Sequence, residues 1–178
     1  MSHHFSWENP PKNFKASTSG MNLITSGNTD FWNDQLNGHL YLTNVQGNFS
    51  MFAHVKFFPN SEVDQCGLIV RIDGMNWFKI VIEYHINQCS LCAVMTTRGY
   101  SDYSRQIVAS TQQEMWFSIK REDTVFKLFS SSDGKNYKEF IFLQRPRYPR
   151  QISIGFCACS PCGSGCTCFF DQVQLKCE

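Results

Sequence analysis

Along most of the chain apolar and polar residues alternate with a period of two, in short runs separated by Gly, Asn, Asp, Ser and Pro. Side chains of a strand point alternately to opposite faces, so this pattern predicts half-buried β-strands. Strands are expected at residues 40–45, 49–57, 64–72, 77–85, 90–97, 116–122, 125–130, 137–142, 151–159 and 166–175. Asn9-Pro10-Pro11 reads as an extended or turn segment, because a residue before proline avoids the helical region. Gln46-Gly47-Asn48, Asp73-Gly74-Met75-Asn76, Asp123-Thr124 and Ser132-Asp133-Gly134-Lys135 mark turns. The last two strands are read as a closing hairpin across residues 160–165. No helical periodicity lasts three turns, and no linker, repeat or low-complexity tract interrupts the pattern. Residues 1–178 are therefore read as one all-β domain, a two-sheet sandwich or a barrel.

The central pair of strands is the most informative. One face carries Cys66, Leu68, Val70 and Ile72, then Phe78, Ile80, Ile82 and Tyr84, and is assigned to the core. The other carries Gln65, Gly67, Ile69 and Arg71, then Trp77, Lys79, Val81 and Glu83. If Ile72 opposes Phe78, Arg71 lies beside Lys79 and Gly67 beside Glu83, leaving space there for a ligand or a side chain. A mixed-charge face with an indole suits a sugar or an anion, since the ring offers an apolar platform and the charges supply hydrogen bonds. The alternative is a solvated sheet face, which antiparallel sheets commonly have.

Composition narrows the function classes. With 16 Lys+Arg against 15 Asp+Glu, the formal net charge is +1 and no block of like charges occurs, so no nucleic-acid or anionic-membrane footprint is expected. No apolar run approaches a membrane span. The start, Met1-Ser2-His3-His4-Phe5-Ser6-Trp7, lacks the basic flank and apolar stretch of a secretory signal, so a cytoplasmic location and free thiols are expected. Five of the nine cysteines crowd into Cys157, Cys159, Cys162, Cys166 and Cys168. Four converging thiolates would make a structural zinc site, whereas buried thiols also serve as small apolar fillers. The second reading is preferred, and no cofactor is expected.

Asn9-Pro10-Pro11, Thr29-Asp30-Phe31-Trp32, Asp64-Gln65-Cys66-Gly67-Leu68-Ile69-Val70-Arg71, Asn76-Trp77-Phe78-Lys79, Ile82-Glu83-Tyr84, residues 97–104, Ser132-Asp133-Gly134 and Ser160-Pro161 follow one another in an order that resembles the regulation-of-enolase-like family, a domain of unknown function. The resemblance implies a jelly-roll β-sandwich of two antiparallel sheets in the concanavalin A-like lectin/glucanase superfamily, with a concave sheet on which relatives by fold bind glycans. Two departures stand out: Tyr103 replaces the tryptophan of the family's Ser-Asp-Trp-Ser motif, and Cys66 takes the place of an alanine.

Three functions follow as expectations. Binding of a carbohydrate or other polar small molecule is preferred, with Asp30, Trp32, Gln65, Arg71, Trp77, Lys79, Glu83, Tyr100 and Asp102 lining the site. A regulatory protein-interaction module is the alternative, since exposed aromatics and Arg suit interfaces. A glycosidase would need two carboxyls about 5–10 Å apart; Glu83 has Lys79 four residues before it rather than an acid, so Asp102 is the second acid if hydrolysis occurs, with Asp30 and Asp64 as other sources. Lys79 and Arg71 are expected to lower the Glu83 pKa.

Overall fold

The computed structural model describes residues 4–17, 20–109 and 112–178. Met1, Ser2 and His3, which entered the reading of the N-terminus, lie outside the described residues. Two seven-stranded antiparallel sheets face each other. The first runs β1 (Ser6–Glu8), β6 (His39–Gln46), β15 (Gln151–Cys159), β8 (Gln65–Arg71), β9 (Trp77–His85), β10 (Gln88–Thr97) and β11 (Tyr100–Ile107). The second runs β14 (Lys138–Gln144), β13 (Val125–Ser131), β12 (Glu114–Glu122), β7 (Phe49–Phe58), β16 (Thr167–Cys177), β3 (Gly20–Ile24) and β2 (Asn13–Ser17). A small ribbon, β4 (Phe31–Trp32) with β5 (Gln35–Leu36), stands apart from both. This is the jelly-roll sandwich that the alternation and the resemblance implied.

The apolar half of each strand fills the space between the sheets. Cys66, Leu68 and Val70 of β8 and Phe78, Ile80 and Ile82 of β9 are buried there against Met51, Val55, Phe117, Phe126 and Phe170 of the second sheet. Ile72 and Tyr84, at the strand ends, are half-buried and pack on the same cluster. The eight residues assigned to the core thus face it.

Three expectations change. First, the hairpin register differs: Val70, not Ile72, opposes Phe78, Arg71 opposes Trp77, Ile69 opposes Lys79 and Gln65 opposes Glu83. The bonds from the Ile72 and Asp73 amides to the Asn76 carbonyl close a longer turn, and the slip of two residues keeps every side chain on its face while exchanging its partner. Second, Gly67 opens no ligand space. It opposes Val81, and a Cβ there would lie 2.7 Å from the Val81 Cα and closer still to the Ile80 carbonyl, so the neighbouring backbone fills the room. Third, β15 and β16 form no hairpin: they lie in opposite sheets, and the segment 160–166 crosses between them.

The first sheet also carries a second apolar cluster on the face turned away from its partner. Leu40, Leu42, Cys157, Ile69, Trp77, Val81, Cys92 and Val94 are buried there under Phe31 and Leu36. These last two come from a strap, residues 29–38, folded across the sheet. Its anchors are polar. Asn9 donates its side-chain amide to the Leu36 and Gly38 carbonyls (2.9 and 3.0 Å). The Asn33 amide donates to the Ser101 hydroxyl and the Ser101 amide returns a bond to the Asn33 side chain (2.9 and 3.0 Å). His39 accepts the Ser26 amide on Nε2, which leaves Nδ1 to donate to the Asn9 carbonyl at 2.5 Å.

Gly67→Ala is expected to cost at least about 3 kcal/mol, a fall in Tm of roughly 6–12 °C at this size, because backbone and not a flexible side chain must move. A thermal melt checks this, and an unchanged Tm would contradict the close approach of β8 and β9.

Candidate ligand-binding site

Where the strap ends, the outer face of the first sheet is left open and forms a pocket of about 320 Å³. Gln65 of β8 and Lys79 and Glu83 of β9 make its floor, Tyr103 and Arg105 of β11 one wall, and Asp30, Phe31 and Trp32 of the strap the opposite one. The alternation explains the floor: positions 79 and 83 share a face with 77 and 81, and register puts Gln65 across from Glu83.

Lys79 is 1% exposed. Its Nζ donates to the Phe31 carbonyl at 2.9 Å and lies 5.9 and 5.6 Å from the ring centroids of Phe31 and Trp77. Among the described residues Nζ has one hydrogen-bond acceptor, so two of its three N–H groups are left to the ring faces or to a ligand. Gln65, 6% exposed, donates to the Val63 carbonyl at 3.1 Å, but its side-chain oxygen accepts nothing. Buried polar groups are nearly always satisfied, so the floor has unspent hydrogen-bonding capacity.

Glu83 is also buried. Burial pushes its carboxyl above the ordinary carboxylate range, outweighing the Tyr103 hydroxyl bond and the Lys79 charge, which act in the opposite direction. The expected lowering by Lys79 and Arg71 is thus overturned by desolvation. Burial also raises the Tyr103 hydroxyl pKa, keeping it protonated, and the hydroxyl donates to Glu83 Oε1 at 2.7 Å. Cys92 Sγ, 3.0 Å from the same hydroxyl oxygen, completes a chain of three. Its thiol is pushed up to about 12 by burial and then by the Glu83 charge, so it remains a donor.

The structure brings together Asp30, Trp32, Gln65, Lys79 and Glu83, and separates the other four candidates. Arg71 is ion-paired with Glu8 of β1 beyond the strap. Trp77 is 1% exposed beneath Phe31, part of the covered apolar cluster and no open platform. Tyr100 and Asp102 point to the opposite face of β11 from Tyr103, since pairing with Thr97 and Met95 fixes their side, and both are exposed. Glu83 and Asp102 therefore do not share a site. Asp64, the other acid considered, is fully buried and accepts the Asn60 and Ser61 amides (2.8 and 2.9 Å), holding a turn. Tyr103 and Arg105 were missed because their direction depends on the register of an edge strand whose own sequence, Tyr-Ser-Asp-Tyr-Ser-Arg-Gln-Ile, carries no apolar alternation.

The five clustered cysteines do not converge. Cys157 lies in the strap-covered cluster, Cys159 is buried at the end of β15, Cys166 and Cys168 lie in the core between the sheets with their sulfurs 3.7 Å apart, and Cys162 is exposed on the crossing loop. Among the described residues no group of three or more His, Cys, Asp or Glu is placed to hold a metal ion. Burial pushes the Cys66 and Cys157 thiols up to about 11 and 12, as befits apolar fillers.

The raised Glu83 pKa has a sign. A carboxyl that is harder to ionise in the folded state contributes most to stability below its unfolded pKa, and that contribution is lost as pH rises through the folded value. Glu83→Gln keeps an acceptor for Tyr103 and is expected to melt at or above the parent temperature at pH 7–8, the difference vanishing as pH falls through the carboxylate range. Melts at several pH values check this; a large loss at neutral pH would make Glu83 a structural ion pair.

With this geometry in place, comparison with known proteins adds relatives. The chain is 27% identical to Regulation of enolase protein 1 of Saccharomyces cerevisiae over 175 residues, 95% of this chain and 87% of that protein. Its fold superposes with a TM-score of 0.91 on a crystal structure described as a functionally unknown protein from Saccharomyces cerevisiae, at 27% identity and covering 98% and 96% of the two chains. A carbohydrate-binding module, CBM66 from Bacillus subtilis, shares the fold at a TM-score of 0.64 and 10% identity, covering 96% and 94%. Residues 7–177 match a single family description, and the chain belongs to that family, "Protein of unknown function (DUF1349)".

Proposed function

We propose that the pocket binds a small, uncharged, polyhydroxylated ligand, a carbohydrate unit, without transforming it. The observation that carries this is the floor: a buried amide oxygen without a donor and a buried ammonium with a single hydrogen-bond acceptor among the described residues, beside the half-exposed indole of Trp32. Hydroxyls donate and accept at once, and so complement both groups. Charges are balanced within the pocket, Lys79 and Arg105 against Glu83 and Asp30, which favours a neutral ligand over an ion. The volume falls at the small end of the roughly 300–1,000 Å³ of small-molecule sites.

Binding without catalysis is supported by the commitments of the two carboxyls. Asp30 Oδ1 accepts the Phe31 amide at 2.7 Å, and Glu83 Oε1 is held by Tyr103. The shared architecture with a module named for carbohydrate binding agrees with this reading, although fold alone does not assign function.

A second reading, a regulatory protein-interaction module, rests on the yeast relative's name and on one surface. Ile24 and Phe58, 48% and 47% exposed, flank Thr167 on the outer side of the second sheet, where Phe58 meets Phe169 edge-on.

Titration calorimetry against a panel of monosaccharides is the test. Trp32→Ala and Gln65→Leu are each expected to weaken binding tenfold or more with little change in Tm, as a stacking platform and a buried acceptor are worth about 1–3 kcal/mol. Silence across the panel, together with retention of a protein partner that Phe58→Ser abolishes, would transfer the assignment to the second reading.

A further inference from the structure

We infer that the pocket captures the terminal unit of a glycan end-on and excludes internal units; this rests on the carbohydrate reading above and deepens it. A sheet face of this size could hold an extended chain lying along it. Here it cannot, because the strap fills the rest of the face: Phe31, 2% exposed, and Leu36 sit directly over Ile69 and Trp77, and the cluster continues without a gap to Leu40, Leu42 and Cys157. A chain entering over β9 would meet the Phe31 ring, which packs edge-on against Trp77, the next outward-facing residue after Lys79.

Other residues line the remaining sides. Tyr103 stands on the outermost strand and leans inward to Glu83, walling the pocket where the sheet ends. Val63 and His85 line a third side, with His85 Nδ1 3.1 Å from a Glu62 carboxylate oxygen. Pro161 of the crossing loop lines another. The polar floor lies below its rim: Gln65, Lys79 and Glu83 are 6%, 1% and 5% exposed, while Trp32 is 38% exposed and meets Tyr103 edge-on at 6.3 Å. Groups that select the ligand are at the base and the apolar platform is at the rim. That order suits a chain whose last ring is inserted and whose next ring leaves over the indole toward solvent. An internal ring would need a second exit, and the strap occupies its path.

Calorimetry with xylo-, cello-, manno- and fructo-oligosaccharides of one to six units tests the inference. In any series that binds, Kd is expected to change less than threefold from dimer to hexamer, with one protein bound per chain, and the free monosaccharide to bind within tenfold of the dimer. An affinity rising tenfold or more from dimer to hexamer, or several proteins bound to one hexamer, would overturn end-on capture and leave the carbohydrate reading standing. Failure of every monosaccharide and oligosaccharide would overturn both.

Discussion

One buried positive charge organises this face of the molecule. An ammonium removed from water costs several kcal/mol unless its surroundings compensate. Lys79 finds compensation in the Phe31 carbonyl, in the ring faces of Phe31 and Trp77, and in the charge of Glu83. Two of these contributions involve the strap, so Lys79 joins Asn9 and Ser101 in fixing where residues 29–38 come to rest. The strap in turn buries Ile69 and Trp77, and its edge defines the pocket. Desolvation of Glu83 follows from the same closure: the group that balances the lysine is itself withdrawn from water, and its carboxyl becomes harder to ionise.

The architecture was legible because it depends on a local rule. Alternation alone places Leu68, Val70, Phe78 and Ile80 on one side of the first sheet and Gln65, Lys79 and Glu83 on the other, and these assignments survive a register slip of two residues. The site was legible only in part, because its other determinants are not local. Arg71 and Trp77 share the face of Lys79, yet they were separated from the pocket by a strap whose two-residue strands carry no periodicity. Tyr103 and Asp102 are neighbours in sequence, and only pairing with Val94 and Met95 decides which of them looks inward. The departure from the family's tryptophan at position 103 acquires a meaning in the structure: a phenol brings a hydroxyl to Glu83. The cysteines teach the converse lesson, since close spacing along the chain at residues 157–168 spans two sheets and a loop.

Likeness to other proteins and the pocket operate at different levels. The sandwich is shared with a carbohydrate-binding module at 10% identity, which shows that very different sequences satisfy the same layered packing. What shapes the pocket is the combination of polar residues on β8 and β9 with the segment laid over the outer face. In this chain that overlay is a short polar-anchored strap, and its sequence, Thr-Asp-Phe-Trp-Asn-Asp-Gln-Leu-Asn-Gly, supplies both the plug and the aromatic rim.

The reciprocal bonds between Asn33 and Ser101 tie the tip of the strap to the outermost strand of the sheet. Each bond adds about 1 kcal/mol toward holding the strap tip and the edge strand together. Part of the entropy of shaping the recess is thereby expended during folding. Any widening of the recess at this point therefore has to break those bonds first.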